Sequence, residues 1–162
     1  MDDSKTPSRT AYSDGLLLLG RRELSVAQVR ARLLDRDHDR EQVEEAIARL
    51  LENGLLNDAR VAGAYVATAL KVKGRGRLRI QRELQAMGIS RDVIASAVGD
   101  AFGDLDERSL IRKALEKKLR GKKVTSGSEY ARVFQFLVRQ GFTPSVVTMV
   151  LRAYRKGSDP LE

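Results

Sequence analysis

A five-position pattern that occurs three times is the feature that most limits how this chain can fold. Each copy has four apolar side chains and one turn residue separated by 4, 4, 6 and 4 positions, and successive copies are offset by 51 and 53 residues. The three sets are Val29, Leu33, Asp37, Val43 and Ile47; Ile80, Leu84, Gly88, Ile94 and Val98; and Val133, Leu137, Gly141, Val147 and Leu151. A period of about fifty residues predicts tandem repeats of one supersecondary unit.

The spacing inside each copy is that of α-helices. Apolar side chains recur every three or four residues, and no stretch alternates as a half-buried strand would. Each copy spans two helices and follows a further apolar helix, so we predict an all-α protein of three tandem three-helix repeats that form an elongated, curved molecule. The predicted segments are 1–9 as a flexible tail, 10–54, 55–103 and 104–156 as the three repeats, and 157–162 as a second tail.

The turn residue of the pattern differs between the copies. Gly88 and Gly141 stand where a helix must end and the chain must turn tightly, which glycine permits. Asp37 replaces them in the first copy, and we expect a looser turn there. Asp104 with Glu107 has the spacing of a capping box and predicts the start of a helix.

The charge of the chain points to an anionic partner. Lys and Arg number 30 against 22 Asp and Glu, which gives a formal net charge of +8, and the pI is near 10.0. Such a balance favours binding to nucleic acid or to an acidic protein surface. There is no cysteine, which excludes disulfide scaffolds and thiolate chemistry. The polar N-terminus and the short leucine run predict a cytoplasmic protein without a membrane span.

Motifs for catalysis or metal binding are incomplete. The segment 35–39 begins like a calcium loop, but Arg40 and Ala46 stand where glycine and glutamate are required. We interpret it as an inter-helix turn in which His38, the sole histidine, is exposed. Residues 15–20 have the glycine spacing of a phosphate loop without its Lys-Ser/Thr, which favours a helix. We therefore predict no catalytic residue, no metal site and no cofactor.

A basic run in the second repeat is the strongest candidate for a binding site. Six basic residues and no acid lie between Lys71 and Arg82, and a second run from Arg112 to Lys123 contains only Glu116 as an acid. Simple solvation is one interpretation; a face without neutralising partners is better explained by a polyanion or an acidic protein surface. The predicted binding residues are Lys71, Lys73, Arg75, Arg77, Arg79, Arg82, Lys117 and Lys118.

The segment from Leu55 to Ser90 resembles the central signature of the RecX regulatory proteins. The resemblance extends over about Ala11 to Tyr154. The chain departs from the signature at Val61, where an aromatic residue is usual, and at Met87, where lysine is common, which removes one contact from the basic surface. The matching positions are Leu56, Asp58, Arg60, Ala62, Tyr65, Val66, Gly76, Arg79, Ile80, Glu83, Leu84, Gly88 and Ile89.

The resemblance implies a monomeric, non-enzymatic regulator of the RecA recombinase. Proteins of this family lodge in the groove of the RecA filament on single- or double-stranded DNA. They modulate, and mostly inhibit, ATP hydrolysis, strand exchange and filament extension, and so regulate DNA repair and the SOS response. The resemblance implies that the basic residues contact DNA or RecA, with Tyr65, Ile80 and Leu84 in the core.

Two alternatives belong to other classes. One is a stand-alone helical DNA-binding protein or repressor that places a third helix in the major groove. Residues 90–102 carry only Arg91 as a basic residue, which argues against it. The other is an enzyme, which would need a pair of carboxylates in a cleft.

Overall fold

The structure, a computed structural model, describes residues 9–156, except the side chain of Lys156. Within this range the chain forms nine α-helices and no strand. The predicted fold class is confirmed, because the helices pack in threes around separate cores. The boundaries of the three repeats remain predictions, and both predicted tails, apart from Arg9, lie outside the described residues. The helices are α1 (Ala11–Arg21), α2 (Val26–Leu34), α3 (Arg40–Glu52), α4 (Asp58–Lys71), α5 (Arg77–Ala86), α6 (Arg91–Phe102), α7 (Glu107–Leu119), α8 (Gly127–Gln140) and α9 (Pro144–Lys156).

Polar caps fix where most of these helices begin. The hydroxyls of Ser25 and Ser126 each accept from the amide three residues later, and both residues form complete capping boxes. The side chains of Asn57 and Ser90 cap α4 and α6 in the same way. Each side chain satisfies an amide that the helix cannot pair internally.

The predicted capping box of Asp104 and Glu107 is wrong. Asp106 caps α7 instead, since its carboxylate accepts from the amides of Arg108 and Ser109. The side chain of Glu107 accepts from the backbone amide of Thr143 at 2.8 Å and joins the start of α7 to the start of α9. Sequence spacing alone did not distinguish two aspartates that lie two positions apart.

Three apolar cores follow one another along the chain, one for each set of three helices. Every apolar position of the threefold pattern is buried, and Ile80 and Leu84 have no exposed surface. Tyr65, which was expected in the core, is half-buried against the second core. Leu110 packs against both the second and the third core. Because a unit of about fifty residues buries little apolar surface, contacts between neighbouring units contribute to stability.

The three repeat turns share one hydrogen-bond pattern. The residues Asp37, Gly88 and Gly141 have φ values of 61°, 73° and 99°, all in the left-handed region. In each turn the next residue's amide donates to the carbonyl five positions earlier: His38 to Leu33, Ile89 to Leu84, and Phe142 to Leu137. The expectation of a looser first turn is therefore wrong. Aspartate is one of the few residues that adopt the left-handed conformation at modest cost.

The middle helices of the three units meet end to end. The Gly76 amide at the start of α5 donates to the Gln140 carbonyl at 2.7 Å, and the Leu78 amide donates to the Gly141 carbonyl at 3.0 Å. At the other end of α5, the Met87 carbonyl accepts from the Ser25 hydroxyl at 2.5 Å. Both joints thus place the C-terminus of one middle helix against the N-terminus of another.

Glycine is required at two of the repeat turns because of these joints. A Cβ atom at Gly141 would lie 2.4 Å from the backbone nitrogen of Arg79, and one at Gly88 would lie 2.4 Å from the Cβ of Ala27. Asp37, by contrast, is exposed to solvent at the end of α2. A side chain is tolerated at that position because it does not face such a joint.

The expectation that His38 is exposed is wrong. Its side chain is 12% exposed, and its Nε2 atom lies 2.8 Å from Oδ2 of Asp14 in α1. Arg36 lies 3.1 Å from the other oxygen of the same carboxylate. The hydrogen bond from His38 is the main cause that lowers the pKa of Asp14; burial opposes it, and the Arg36 charge adds to it. The sequence did not reveal that α1 packs against this turn.

Candidate nucleic-acid interface

The basic run occupies the end of α4, the connecting loop and the start of α5. Lys71 is the last residue of α4, and Arg77 is the first residue of α5. Between them the chain turns at Gly74, whose φ is +60°. This turn divides the first basic run between two helices. Together with Lys117 and Lys118 of α7, the predicted cations occupy three different environments.

Two of the predicted arginines are paired with an acid. Arg75 Nη1 lies 2.7 Å from Glu83 Oε2, and Arg79 Nε lies 3.0 Å from Glu83 Oε1. The hydroxyl of Tyr65 donates to Glu83 Oε2 at 2.6 Å and accepts from Arg75 Nη1 at 2.8 Å. This Glu83 network joins α4 to α5, and it includes three residues of the resemblance signature, Tyr65, Arg79 and Glu83.

The ionisation of the network follows from its contacts. Burial acts to raise the pKa of Glu83, but hydrogen bonds from Tyr65 and Arg79 and the Arg75 charge hold it below its usual range. Burial is the main cause that raises the pKa of Tyr65, and its hydrogen bond to Glu83 adds to the effect. Glu83 is therefore a carboxylate and Tyr65 a neutral donor at neutral pH. Glu83 lies one residue beyond the basic run and four residues after Arg79. This i, i+4 spacing was the signal in the sequence that could have predicted the ion pair.

Three further predicted cations lie over aromatic rings. Lys73 is 6.0 Å from the ring centre of Tyr65, Arg77 is 5.4 Å from that of Phe102, and Lys118 is 4.7 Å from that of Phe136. All three cations are exposed. Such a contact orients the side chain without neutralising its positive charge, and it contributes about 0.5 to 1 kcal/mol at an exposed site.

The remaining predicted cations, Lys71, Arg82 and Lys117, are exposed and have no carboxylate or ring partner among residues 9–156. Arg82 donates only to the backbone carbonyl of Leu78, at 3.3 Å. These side chains are free to contact an external anion. Of the eight predicted residues, Arg75 and Arg79 are the two that are half-buried, and the other six are exposed.

A cleft of about 190 Å³ lies where the second unit meets the third. Lys71 and Arg75 line it from one side, and Lys113 and Lys117 of α7 line it from the other. Lys113 was not among the predicted binding residues, although its spacing of four from Lys117 places both on one face of α7. The structure therefore brings cations from both basic runs together.

Three observations on the described part of the chain concern metal binding, membrane insertion and major-groove binding. No group of three His, Cys, Asp or Glu side chains there could hold a metal ion. No helix among the described residues is long and apolar enough to cross a membrane. On α6, Asp92 and Asp100 are exposed together with Arg91, which is unfavourable for a helix in the major groove.

Known proteins resemble this chain in sequence and in fold. Family profiles for the first, second and third three-helix domains of RecX match residues 11–50, 57–98 and 106–151. The regulatory protein RecX of Halorhodospira halophila is 31% identical over 147 residues, covering 91% of this chain and 89% of the relative. That of Chlorobaculum tepidum is 30% identical over 166 residues and covers both chains in full.

Solved structures agree with the architecture. The crystal structure of RecX from Lactobacillus salivarius superposes with a TM-score of 0.73 at 21% identity, covering 89% of this chain and 94% of that chain. A second crystal structure of a regulatory protein RecX has a TM-score of 0.71 at 26% identity and covers 86% and 69% of the two chains. With three consecutive domain profiles matched in order, the chain belongs to the RecX family of regulatory proteins.

Proposed function

We propose that this chain binds the RecA nucleoprotein filament and modulates, mostly by inhibition, RecA ATP hydrolysis, strand exchange and filament extension. Through these effects it regulates DNA repair by homologous recombination and the SOS response. Membership of a family of regulatory proteins supports a non-enzymatic role. We also propose that it acts as a monomer in the cytoplasm, where the filament and its single- and double-stranded DNA are present.

The observation that carries the proposal is the exposure of cations from both basic runs, two of which, Lys71 and Lys117, line one cleft between the second and third units. We call the exposed cations together the basic surface. The six exposed members of the predicted set are Lys71, Lys73, Arg77, Arg82, Lys117 and Lys118. A surface that presents cations from two consecutive units suits a long, repeating anionic partner better than a small ligand. A DNA-containing filament is such a partner.

RecA's single-strand-dependent ATP hydrolysis, measured with this protein added, tests the proposal. We expect the wild type to lower the hydrolysis rate and the variant Lys73→Glu/Arg77→Glu/Arg82→Glu to lower it much less. These three side chains are exposed and lie outside the Glu83 network. Their reversal should therefore leave the fold intact, which circular dichroism would verify.

A matched control is Arg21→Glu/Arg40→Glu/Arg91→Glu, which changes the net charge equally at exposed positions elsewhere. We expect it to inhibit RecA nearly as well as the wild type. If the wild type has no effect at several-fold excess over RecA, the proposed function is wrong and independent DNA binding becomes the better explanation. If both variants lose inhibition equally, net charge rather than this surface determines binding.

A further inference from the structure

We propose that the cleft between the second and third units binds one phosphate group of the nucleic acid backbone, and that this phosphate bridges the two units. The inference deepens the proposed function and rests on it for the source of the nucleic acid. It assigns a specific role to Lys71, Lys113 and Lys117, whose positions in the sequence are up to 46 residues apart.

The ammonium groups of the cleft lack partners within the protein. Lys71, Lys113 and Lys117 make no ion pair, side-chain hydrogen bond or ring contact with any residue in the range 9–156. Of the other predicted cations, Arg75 and Arg79 are paired with Glu83, three lie over aromatic rings, and Arg82 donates to a backbone carbonyl. Three lysines that line one small cleft without a counter-charge repel one another, and an anion between them removes that repulsion.

The lining of the cleft strengthens its interaction with an anion. Leu70, Ala114 and Phe142 also line it, and Phe142 is buried. The three lysines are exposed to solvent, and the low-dielectric walls between them focus their positive field on the cleft. Its volume of about 190 Å³ is below the roughly 300 Å³ of a typical small-molecule pocket, which suits a phosphate group better than a whole nucleotide.

Among the described residues, Gly74 has an unpaired backbone amide at the edge of the cleft. It lines the same cleft, and its backbone amide has no hydrogen-bond acceptor among the described residues. Arg75 also lines the cleft, and its hydrogen bonds to Tyr65 and Glu83 both leave from Nη1, so Nε and Nη2 remain without a protein acceptor in the described range. Donors of this kind hold phosphate oxygens through charge-assisted hydrogen bonds.

Lys71, Gly74 and Arg75 belong to the second unit, whereas Lys113 and Lys117 belong to the third. A phosphate bound by both sets therefore connects the units across the cleft. The main-chain joint at Gly76 and Gly141 also connects the same two units. We infer that the phosphate restricts motion about that joint, because it replaces repulsion across the cleft with attraction.

Binding of a labelled single-stranded oligothymidylate to the full chain tests phosphate recognition. The variant Lys71→Gln/Lys113→Gln/Lys117→Gln should bind about tenfold more weakly than the control Arg21→Gln/Arg40→Gln/Arg91→Gln, which loses the same charge. The slope of log K against log salt should also become shallower by about 0.7, the value for one phosphate contact on a single strand. Equal affinities and slopes for the two variants would overturn the inference.

An acidic protein surface is the competing occupant of the cleft. If the lysine variant binds the oligonucleotide like the control but no longer inhibits RecA, the cleft contacts protein, and the phosphate proposal is wrong while the proposed function stands. Loss of oligonucleotide binding together with weakened inhibition supports the inference.

Distance measurements test the bridging role. Because the chain has no cysteine, Ala95→Cys/Ala131→Cys can carry two spin labels at exposed positions of α6 and α8. We expect the oligothymidylate to narrow the distance distribution between the labels, and to have no such effect when the three cleft lysines are glutamine. An unchanged distribution in the lysine-containing protein would contradict bridging.

Discussion

Glu83 is the residue that makes the basic surface compatible with a stable fold. Its carboxylate accepts hydrogen bonds from Tyr65, Arg75 and Arg79. We expect Glu83→Gln to lower the free energy of unfolding at neutral pH by about 2 kcal/mol, because two half-buried guanidinium groups lose their counter-charge. Urea unfolding followed by circular dichroism measures this change, and Glu116→Gln, at an exposed acid on α7, should alter it by less than about 0.5 kcal/mol.

The same network predicts a dependence on pH. Since the pKa of Glu83 is lowered in the folded chain, the folded state binds fewer protons than the unfolded state near that pKa. Its contribution is fully present above the ordinary glutamate value of about 4.3 and is lost as pH falls through the lowered folded value. The difference in stability between wild type and Glu83→Gln should therefore change little from pH 7 to about pH 5 and shrink as the pH falls below about 4.3. A difference that stays constant would contradict this assignment.

At the scale of the elements, the turn glycines connect local conformation to packing between units. Gly141→Ala places a Cβ in the left-handed region and against the backbone of Arg79. Gly121→Ala imposes a similar φ strain, but no atom lies within 4 Å of the added Cβ. We expect a loss of about 1 kcal/mol for Gly121→Ala and at least about 1 kcal/mol more for Gly141→Ala, measured by urea unfolding. Equal losses would mean that the joint contributes no packing energy.

The sequence was sufficient for the helices and their cores because both depend on local periodicity. Val29, Ile80 and Val133 were recognisable as core positions from spacing alone, and all three are buried. The joints between units depend on which helix ends pack together. Those ends are far apart in the sequence, so local periodicity does not reveal them. For this reason Gly88 was explained as a turn residue, while its close approach to Ala27 became visible only in the structure.

For the candidate site, the sequence predicted which cations are exposed but not which of them are paired within the protein; their role in binding stays a prediction. Charge density along the chain identified the exposed cations, since exposure of lysine and arginine is the common case. It did not identify the pairing of Arg75 with Glu83, because that pairing depends on how the loop at Gly74 directs the chain from α4 into α5. The pairing of Arg79 with Glu83 is local to α5, and its signal was the i, i+4 spacing rather than the charge density. The cleft likewise joins Lys71 to Lys113 and Lys117 through packing between units.

For the whole molecule, the number of exposed cations predicts how DNA binding responds to salt. Six of the eight predicted residues are exposed, whereas Arg75 and Arg79 are paired with Glu83. If Lys71 and Lys117 share one phosphate and each of the other four exposed cations neutralises another, log K should fall against log salt with a slope of roughly −4.5, from about −0.9 per contact on duplex DNA. Fluorescence anisotropy of a labelled duplex across a salt series measures this slope.

Substitutions test whether the salt dependence comes from the exposed cations or from the arginines paired with Glu83. Lys73→Gln/Arg82→Gln should make the slope less steep by about 1.8, since two phosphate contacts are lost. Arg79→Gln should change the slope little and instead lower stability, because its guanidinium is bound to Glu83. A wild-type slope shallower than about −2 would show that DNA phosphates are not the main contacts of this surface. The basic surface would then contact acidic side chains of RecA, and the same substitutions would weaken binding to RecA rather than to DNA.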